Sequence, residues 1–281
     1  MVVAYGKPED LERCLRPLSG RYRLLVIDNS SDVRSAAAAA AAGAEYVDSG
    51  RNLGFAAAVN RALDLLGSGP DDVLLLNPDA MVEADGVDAL AARLRAPGND
   101  RLAAVAPRQH PWTGGVEQRV AWPFPTPAGV WADALGLGRL VERRSFLAGS
   151  VLLLRSAALA DVGRFDERFF LYAEEADWQW RAHLRGWTVE VCEEIHAYHT
   201  GGASSVDPEV REVLFHSSFE ALIRKWHGRL GWASARAASL VGALVRAGWR
   251  RGDERRRALH QAGLYVQGPM KAAAALGRGA P

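Results

Sequence analysis

The sequence predicts an α/β fold, a mostly parallel sheet covered by helices and followed by a helical C-terminal region. Three observations carry that prediction. Short apolar runs rich in branched residues alternate with helical stretches. The runs Arg23-Leu24-Leu25-Val26-Ile27 and Asp72-Val73-Leu74-Leu75-Leu76 are near-continuously apolar, the mark of strands buried on both faces. Beyond Pro208 the apolar residues recur at three- and four-residue steps only.

The elements follow in order. Val2-Val3-Ala4-Tyr5 reads as a first strand, and a Leu11, Leu15, Leu18 stripe as the first helix. Arg23 to Ile27 is a buried strand ended by the polar turn Asp28-Asn29-Ser30-Ser31-Asp32. Ala36 to Ala42 is helical by propensity, and Gly43 closes it before a strand at Glu45-Tyr46-Val47-Asp48. The turn from Ser49 to Gly54 leads into a helix over Phe55 to Leu66. The next strand, Asp72 to Leu76, stops at Asn77-Pro78-Asp79. From Pro107 to Arg144 the period is lost, and Trp112, Trp122 and Trp131 read equally as substrate contacts or as loop packing. Phe146 to Arg155 is expected to form one strand. A short helix, the turn Phe165-Asp166-Glu167-Arg168-Phe169-Phe170 and a helix from Glu174 to about Leu184 come next. Trp187 to Cys192 is a further strand, followed by His196, His199 and Gly201-Gly202.

Composition narrows the classes. At 281 residues, with a formal net charge of +1, the chain is expected to form one large catalytic body, 1–208, with an appendage, 209–281. Residues 209–281 hold 13 Lys and Arg against 5 Asp and Glu, so an acidic body carries a basic tail. No uncharged run is long enough to span a bilayer, and the first residues lack a secretory signal pattern. Cys14 and Cys192 sit in apolar surroundings without metal-ligand spacing, which fits a reduced, cytoplasmic setting. The tail has no aromatic-basic interleaving, so nucleic acid is not expected as a partner. A basic amphipathic helix lying on a membrane surface, or helices packed on the body with solvated arginines, both account for it. A second copy of the chain is admitted as a further partner.

Ligands of such sheets gather at the carboxyl ends of strands. Asp28, Asn52 and Asp79 all follow a strand at that edge, which implies one shared site. Asp79 offers a hard oxygen suited to Mg2+ or Mn2+, and His199 precedes glycines whose amides can approach a phosphate. Glu174, Glu175 and Asp177 open a helix beside Phe169, Phe170 and Tyr172, where carboxylate pKa values shift. Acids in a first helical turn also suit the dipole without any catalytic role. These parts together describe a metal-diphosphate site with a carboxylate base, serving transfer from an activated nucleotide-linked group.

Five blocks, VIDNSSD, RNLGFAAAVNRAL, LLLNPDA, FLAGSVLLLR and GRFDERFFLYAEEADWQWRAHLRGW, the last followed by HTGGASS, stand in one order. In that order and spacing they closely resemble glycosyltransferase family 2, most of all its bacterial rhamnosyltransferase-type members. The resemblance covers roughly residues 1 to 205 and implies a GT-A fold, a nucleotide-diphospho-sugar donor, a divalent cation and inversion at the anomeric carbon. It implies donor binding by Ala4, Tyr5, Asp28, Asn52, Asn77 and Asp79, with Asp79 and His199 at the metal. It implies Glu175 as catalytic base, with Gly149, Tyr172, Glu174, Asp177 and Trp178 supporting it or facing the acceptor. Two positions depart from the family pattern: Asn77 stands where a first metal-motif carboxylate is often found, and the base is Glu rather than Asp. L-rhamnose from dTDP-rhamnose, transferred to a lipid-linked saccharide or cell-envelope precursor, is the implied reaction. A nucleotidyltransferase and a non-catalytic sugar-nucleotide-binding protein are the alternatives; Ala4-Tyr5-Gly6-Lys7-Pro8 is too poor in glycine for the phosphate loop of the first.

Overall fold

The computed structural model describes residues 1–67, 69–141, 144–201 and 207–276. They form two compact units. The first comprises residues 1–122, 145–167 and those from Glu174 to Gly201; the second comprises 123–144, 168–173 and the described residues from Asp207 onward.

The first unit is built on strands β1 (Val2–Ala4), β2 (Leu25–Asp28), β3 (Glu45–Asp48), β4 (Val73–Leu76), β5 (Ala80–Met81), β6 (Leu102–His110), β9 (Val151–Leu154) and β10 (Thr188–His199). Their order in the sheet is β3-β2-β1-β4-β9-β6-β10-β5. β1 to β4 are mutually parallel, as expected of strands returned by the helices α1 (Pro8–Leu15), α2 (Val33–Ala41) and α3 (Phe55–Leu66). β9 enters antiparallel between β4 and β6, and β5 caps β10 antiparallel, so the sheet is mixed. α4 (Ala84–Arg95) and β6, neither of which the sequence pattern had marked, complete this side, and α6 (Ser156–Val162) is the short helix expected after β9.

The stretch from Phe146 to Arg155 is not one strand. β8 (Ser145–Leu147) pairs with β7 (Ala121–Pro123) in a separate ribbon, and the chain turns at Ala148-Gly149-Ser150 before entering β9 in the main sheet. An apolar run cannot report such a break, because both halves are largely apolar although they join different sheets. β10 likewise runs on past Cys192, through a bulge, to His199.

Two packed layers hold the sheet. Leu11, Cys14, Leu15 and Val87 cover one face with Val2, Ala4 and Val26. Ala58, Val59 and Ala62 of α3 join Trp178 and Ala182 of α7 (Glu174–Leu184) with Ile27, Leu75 and Leu152 on the other. Arg181 of α7 donates to Asp177 at 3.0 Å and to the carbonyls of Val162 and Arg164.

In the second unit, α5 (Pro127–Ala134) packs with α8 (Pro208–Trp249), α9 (Gly252–Gln267) and α10 (Pro269–Ala275). α8 breaks at Gly228, whose φ of 67° a residue with a side chain adopts only with strain. Ile223, Trp232, Ala235 and Tyr265 form the core of this unit, and Trp131 donates to Ser234 Oγ at 3.1 Å. Trp131 is therefore a packing residue.

Asn60 ties α3 to the turn that precedes α7. Its Oδ1 accepts from Phe165 N at 2.9 Å, and its Nδ2 donates to Phe165 O at 2.9 Å and to Glu167 Oε1 at 2.8 Å. Asn60→Ala strands a buried amide pair, and a loss of about 2–3 kcal/mol is expected, measurable as a lowered denaturant midpoint with unchanged m.

Candidate active site

The carboxyl ends of β1, β2 and β4 carry the residues expected on the donor side. Asn29 N donates to Ala4 O at 2.9 Å, pinning the end of β1 to the turn after β2. Asp28 is buried and saturated: Oδ1 accepts from Ser30 N at 2.7 Å and Ser30 Oγ at 2.6 Å, Oδ2 from Asp32 N at 3.1 Å and Tyr46 Oη at 2.9 Å. A base that bonds to Asp28 therefore competes with the Ser30 or Tyr46 hydroxyl. Asn29 donates from Nδ2 to Gly54 O at 3.0 Å, while Asn52 Oδ1 accepts from Gly54 N at 3.0 Å. The Asn52 turn is thus fastened to the Asp28 turn, and Tyr5 follows β1 at the same edge.

The second group arises from a crossing of distant segments. The two-residue strand β5 pairs antiparallel with the end of β10, setting Ala80 against His199. Asp79 and His199, 120 positions apart, are thereby brought side by side, with His199 Nε2 at 3.3 Å from Asp79 Oδ1 and Thr200 N donating to Asp79 O at 3.1 Å. Asn77 N donates to Ser150 O at 2.8 Å and Asn77 O accepts from Ala80 N, closing the Asn-Pro-Asp turn. Gly201 has φ +65° and lies over Gln118, whose Nε2 is 3.0 Å from where a Cβ would stand. Gly202, Ser204 and Ser205 of the same motif lie outside the described residues.

Gln118 is a residue that sequence reasoning missed. Its Nε2 donates to the His199 carbonyl at 2.8 Å, which leaves Oε1 to accept from His199 Nδ1–H at 3.1 Å. In the neutral ring the lone pair is then on Nε2, facing Asp79 Oδ1. Two acceptors meeting at 3.3 Å are relieved by a proton or by a cation between them. A glutamine in an aperiodic loop gives no sequence signal; only the chain reversal after β6 brings it to His199.

The third group is at the start of α7. Glu174 is buried and Glu175 half-buried, and the Oε2 atom of each is shut off from solvent without a hydrogen-bond partner. Burial pushes the Glu174 carboxyl well above the usual range, and the neighbouring Glu175 charge adds to this. Burial also raises Glu175, against a smaller downward pull from the backbone N–H groups of Glu175, Gly149 and Ala176. Gly149 packs directly on this carboxyl: a Cβ there would stand 3.6 Å from Glu175 Cβ and 3.9 Å from its Cδ. Asp177 is fully buried and paired with Arg181. Trp178 is also fully buried, stacked on Phe165 at 5.8 Å and donating to Gly163 O at 2.9 Å, a place beneath the site. Tyr172 belongs to the second unit, edge-on to Phe215 at 5.7 Å. Tyr172 and Ala173 take φ values of 70° and 69°, consecutive left-handed residues costing about 1–2 kcal/mol each.

A cavity of about 440 Å³ opens elsewhere, at the amino ends of β1, β2 and β4, walled by Leu15, Leu24, Val73 and Leu74. It has none of the residues above and lies at the edge where parallel sheets do not bind ligands.

The mixed sheet, with parallel β1 to β4 on one side and antiparallel β9 and β5 inserted beyond them, is a GT-A fold. The chain belongs to glycosyl transferase family 2, whose family model matches residues 1–122. It is 30% identical over 296 residues to the N-acetylglucosaminyl-diphospho-decaprenol L-rhamnosyltransferase of Mycobacterium tuberculosis (strain ATCC 25618 / H37Rv), covering 91% of this chain and 95% of that one. It is 24% identical over 237 residues to the low-salt glycan biosynthesis hexosyltransferase Agl10 of Haloferax volcanii, covering 79% of this chain and 71% of the relative. The fold matches that of mannosyltransferase PcManGT from Pyrobaculum calidifontis, solved in complex with GDP-Man and Mn2+. That match has a TM-score of 0.56 at 13% identity, over 99% of this chain and 85% of that one. The protein is a rhamnosyltransferase-like glycosyltransferase that moves a sugar from a nucleotide donor.

Two measurements follow. Gln118→Ala removes both contacts to His199, and a loss of about 1–3 kcal/mol is expected, read as a lowered denaturant midpoint. Glu174 binds its proton more tightly folded than unfolded, so its penalty is absent at acid pH and grows as pH rises through the raised value. Glu174→Gln is therefore expected to raise Tm near about pH 8 and leave it unchanged near about pH 4.

Proposed function

We propose that this chain transfers L-rhamnose from dTDP-rhamnose, with inversion, to a hydroxyl of a saccharide carried on a polyprenyl diphosphate. The likeness to the mycobacterial rhamnosyltransferase over nine-tenths of the chain supports the sugar and the acceptor class. The single observation that carries the chemistry is the Glu175 carboxyl, held by Gly149 with one oxygen unpartnered.

In this reading Glu175 takes the proton of the acceptor hydroxyl as that oxygen attacks the anomeric carbon. The bond from that carbon to the diphosphate oxygen breaks on the opposite face, and the nucleoside diphosphate leaves with the electron pair. One displacement inverts the centre. Asp28, Asn52 and the backbone at Ala4 and Tyr5 hold the nucleoside, and the Asn77 turn sets the diphosphate beside Asp79. Asp79 and His199 fit a divalent cation, Mg2+ or Mn2+, because their facing lone pairs are 3.3 Å apart. Among the described residues no group of three or more acidic, His or Cys side chains is placed to hold a metal, so Asp79 and His199 are the two side chains that would hold one. When bound, the cation offsets charge building on the departing diphosphate. An acceptor of this kind sets the enzyme against the inner face of a membrane as a peripheral protein.

The test is transfer from dTDP-rhamnose to a short-chain prenyl-diphospho-N-acetylglucosamine. Glu175→Gln is expected to lower kcat by about 10²–10⁴ with donor affinity retained. Because burial raises the Glu175 carboxyl, the acid limb of the wild-type profile should lie above the ordinary glutamate value of about 4.3 and vanish in the variant. Full activity in Glu175→Gln would remove this residue from the role of base.

A further inference from the structure

We infer that the exposed face of α8 beyond its break at Gly228 docks on an anionic bilayer surface, an inference that rests on the lipid-linked acceptor proposed above. Trp232, Ala235, Ala238, Ala243 and Ala247 bury one face of this segment within the second unit. The opposite face is apolar as well. Leu230, Ala233, Ala237, Val241, Leu244 and Gly248 follow one another at three- and four-residue steps, all exposed, with Val245 and Trp249 beside them. Leu230 is 87% exposed, Leu244 51% and Trp249 86%. The stripe is about 30 Å long, far longer than the scattered single apolar residues of an ordinary surface.

Charge determines what covers it. Between Leu230 and Trp249 there is no Asp or Glu, and the two arginines are engaged within the unit: Arg236 with the carbonyls of Tyr265 and Val266, Arg246 with Gln261 Oε1. Cations stand at both ends instead, Arg229 at one and Arg250 and Arg251 at the other, followed by Arg255, Arg256 and Arg257, all exposed. Arg250 is shared with Glu254 at 3.1 Å and Arg256 pairs with Asp253, so the excess is carried by the others. A second copy of the chain laid along the stripe, parallel or antiparallel, brings arginine against arginine. An anionic lipid surface complements the same pattern: apolar side chains enter the acyl boundary, Trp249 sits at the headgroup level and the arginines meet phosphates. No helix among the described residues is long and apolar enough to cross a membrane, so the segment lies along the surface.

The test is co-sedimentation of the full chain with vesicles of phosphatidylcholine alone or mixed with phosphatidylglycerol. Binding is expected to the mixed vesicles and to weaken as salt rises. Leu230→Glu and Leu244→Glu, both at exposed positions and checked for native circular dichroism, should each lower the partition about tenfold or more. Arg250→Glu with Arg251→Glu should remove the preference for phosphatidylglycerol. Absence of vesicle binding by the wild type, or binding unchanged in both Leu variants, overturns the inference. So does a dimer in sedimentation velocity that Leu244→Glu dissociates. Transfer to the short-chain acceptor separates the two readings: activity without vesicle binding defeats only the docking, and absence of activity defeats the proposed function.

Discussion

The turn at Ala148-Gly149-Ser150 is the constraint on which the site depends. It is where the chain leaves the β7–β8 ribbon and enters the main sheet as β9. Its backbone serves both chemical groups of the first unit at once. Gly149 lies against the Glu175 side chain, with its amide lowering the carboxyl's pKa against burial, while the Ser150 carbonyl accepts Asn77 N at 2.8 Å. Ser150 Oγ continues to Gln109 Oε1 at 2.8 Å, Gln109 O accepts from Gln118 N at 2.8 Å, and Gln118 grips His199. One hydrogen-bonded chain therefore runs from the Glu175 carboxyl to the Asn-Pro-Asp turn and on to the Asp79–His199 pair. A shift of the turn would move all three.

The two glutamates show opposing fields at close quarters. Acids in a first helical turn are favoured by the helix dipole, by up to about 2 kcal/mol in partly buried settings. Burial disfavours their charge, and both carboxyls are raised, so desolvation outweighs dipole and amide donors. Glu175 keeps amide contacts that Glu174 lacks beyond its own, so the adjacent acids are not equivalent. The consecutive left-handed residues Tyr172 and Ala173 set the entry to this helix, a local cost retained in front of the most chemically loaded turn.

Much of this was legible from residues alone because local chemistry dictated it. The α3 and α7 boundaries follow from apolar period and flanking residues, and Asp28, Asn52 and Asp79 fall at strand ends by alternation of strand and helix. What stayed hidden required pairing across the chain. β9 is as apolar as its parallel neighbours, and nothing in Val151-Leu152-Leu153-Leu154 states that it runs antiparallel. β6, rich in Ala, carries little strand propensity, and its place comes from packing between β9 and β10. Gln118 acquires meaning only once His199 is beside it.

The C-terminal helices illustrate the same limit with opposite consequence. From composition, residues 209–281 read as a basic amphipathic tail, which places arginines on the outward face of a helix. In the fold the arginines within the Leu230–Trp249 span turn inward to carbonyls and to Gln261, and the outward face is left to Leu, Val, Ala and Gly. Small residues explain how: Gly242 packs where an added Cβ would stand 3.2 Å from Ala134 Cβ, so close approach to α5 fixes which side is inside. Trp232 apart, the buried face is made of Ala and Gly, and most of the large apolar side chains of the segment fall on the outer face. An exposed apolar stripe is then a consequence of tight helix packing rather than an accident of sequence, and its arginine-capped ends give it a defined chemistry.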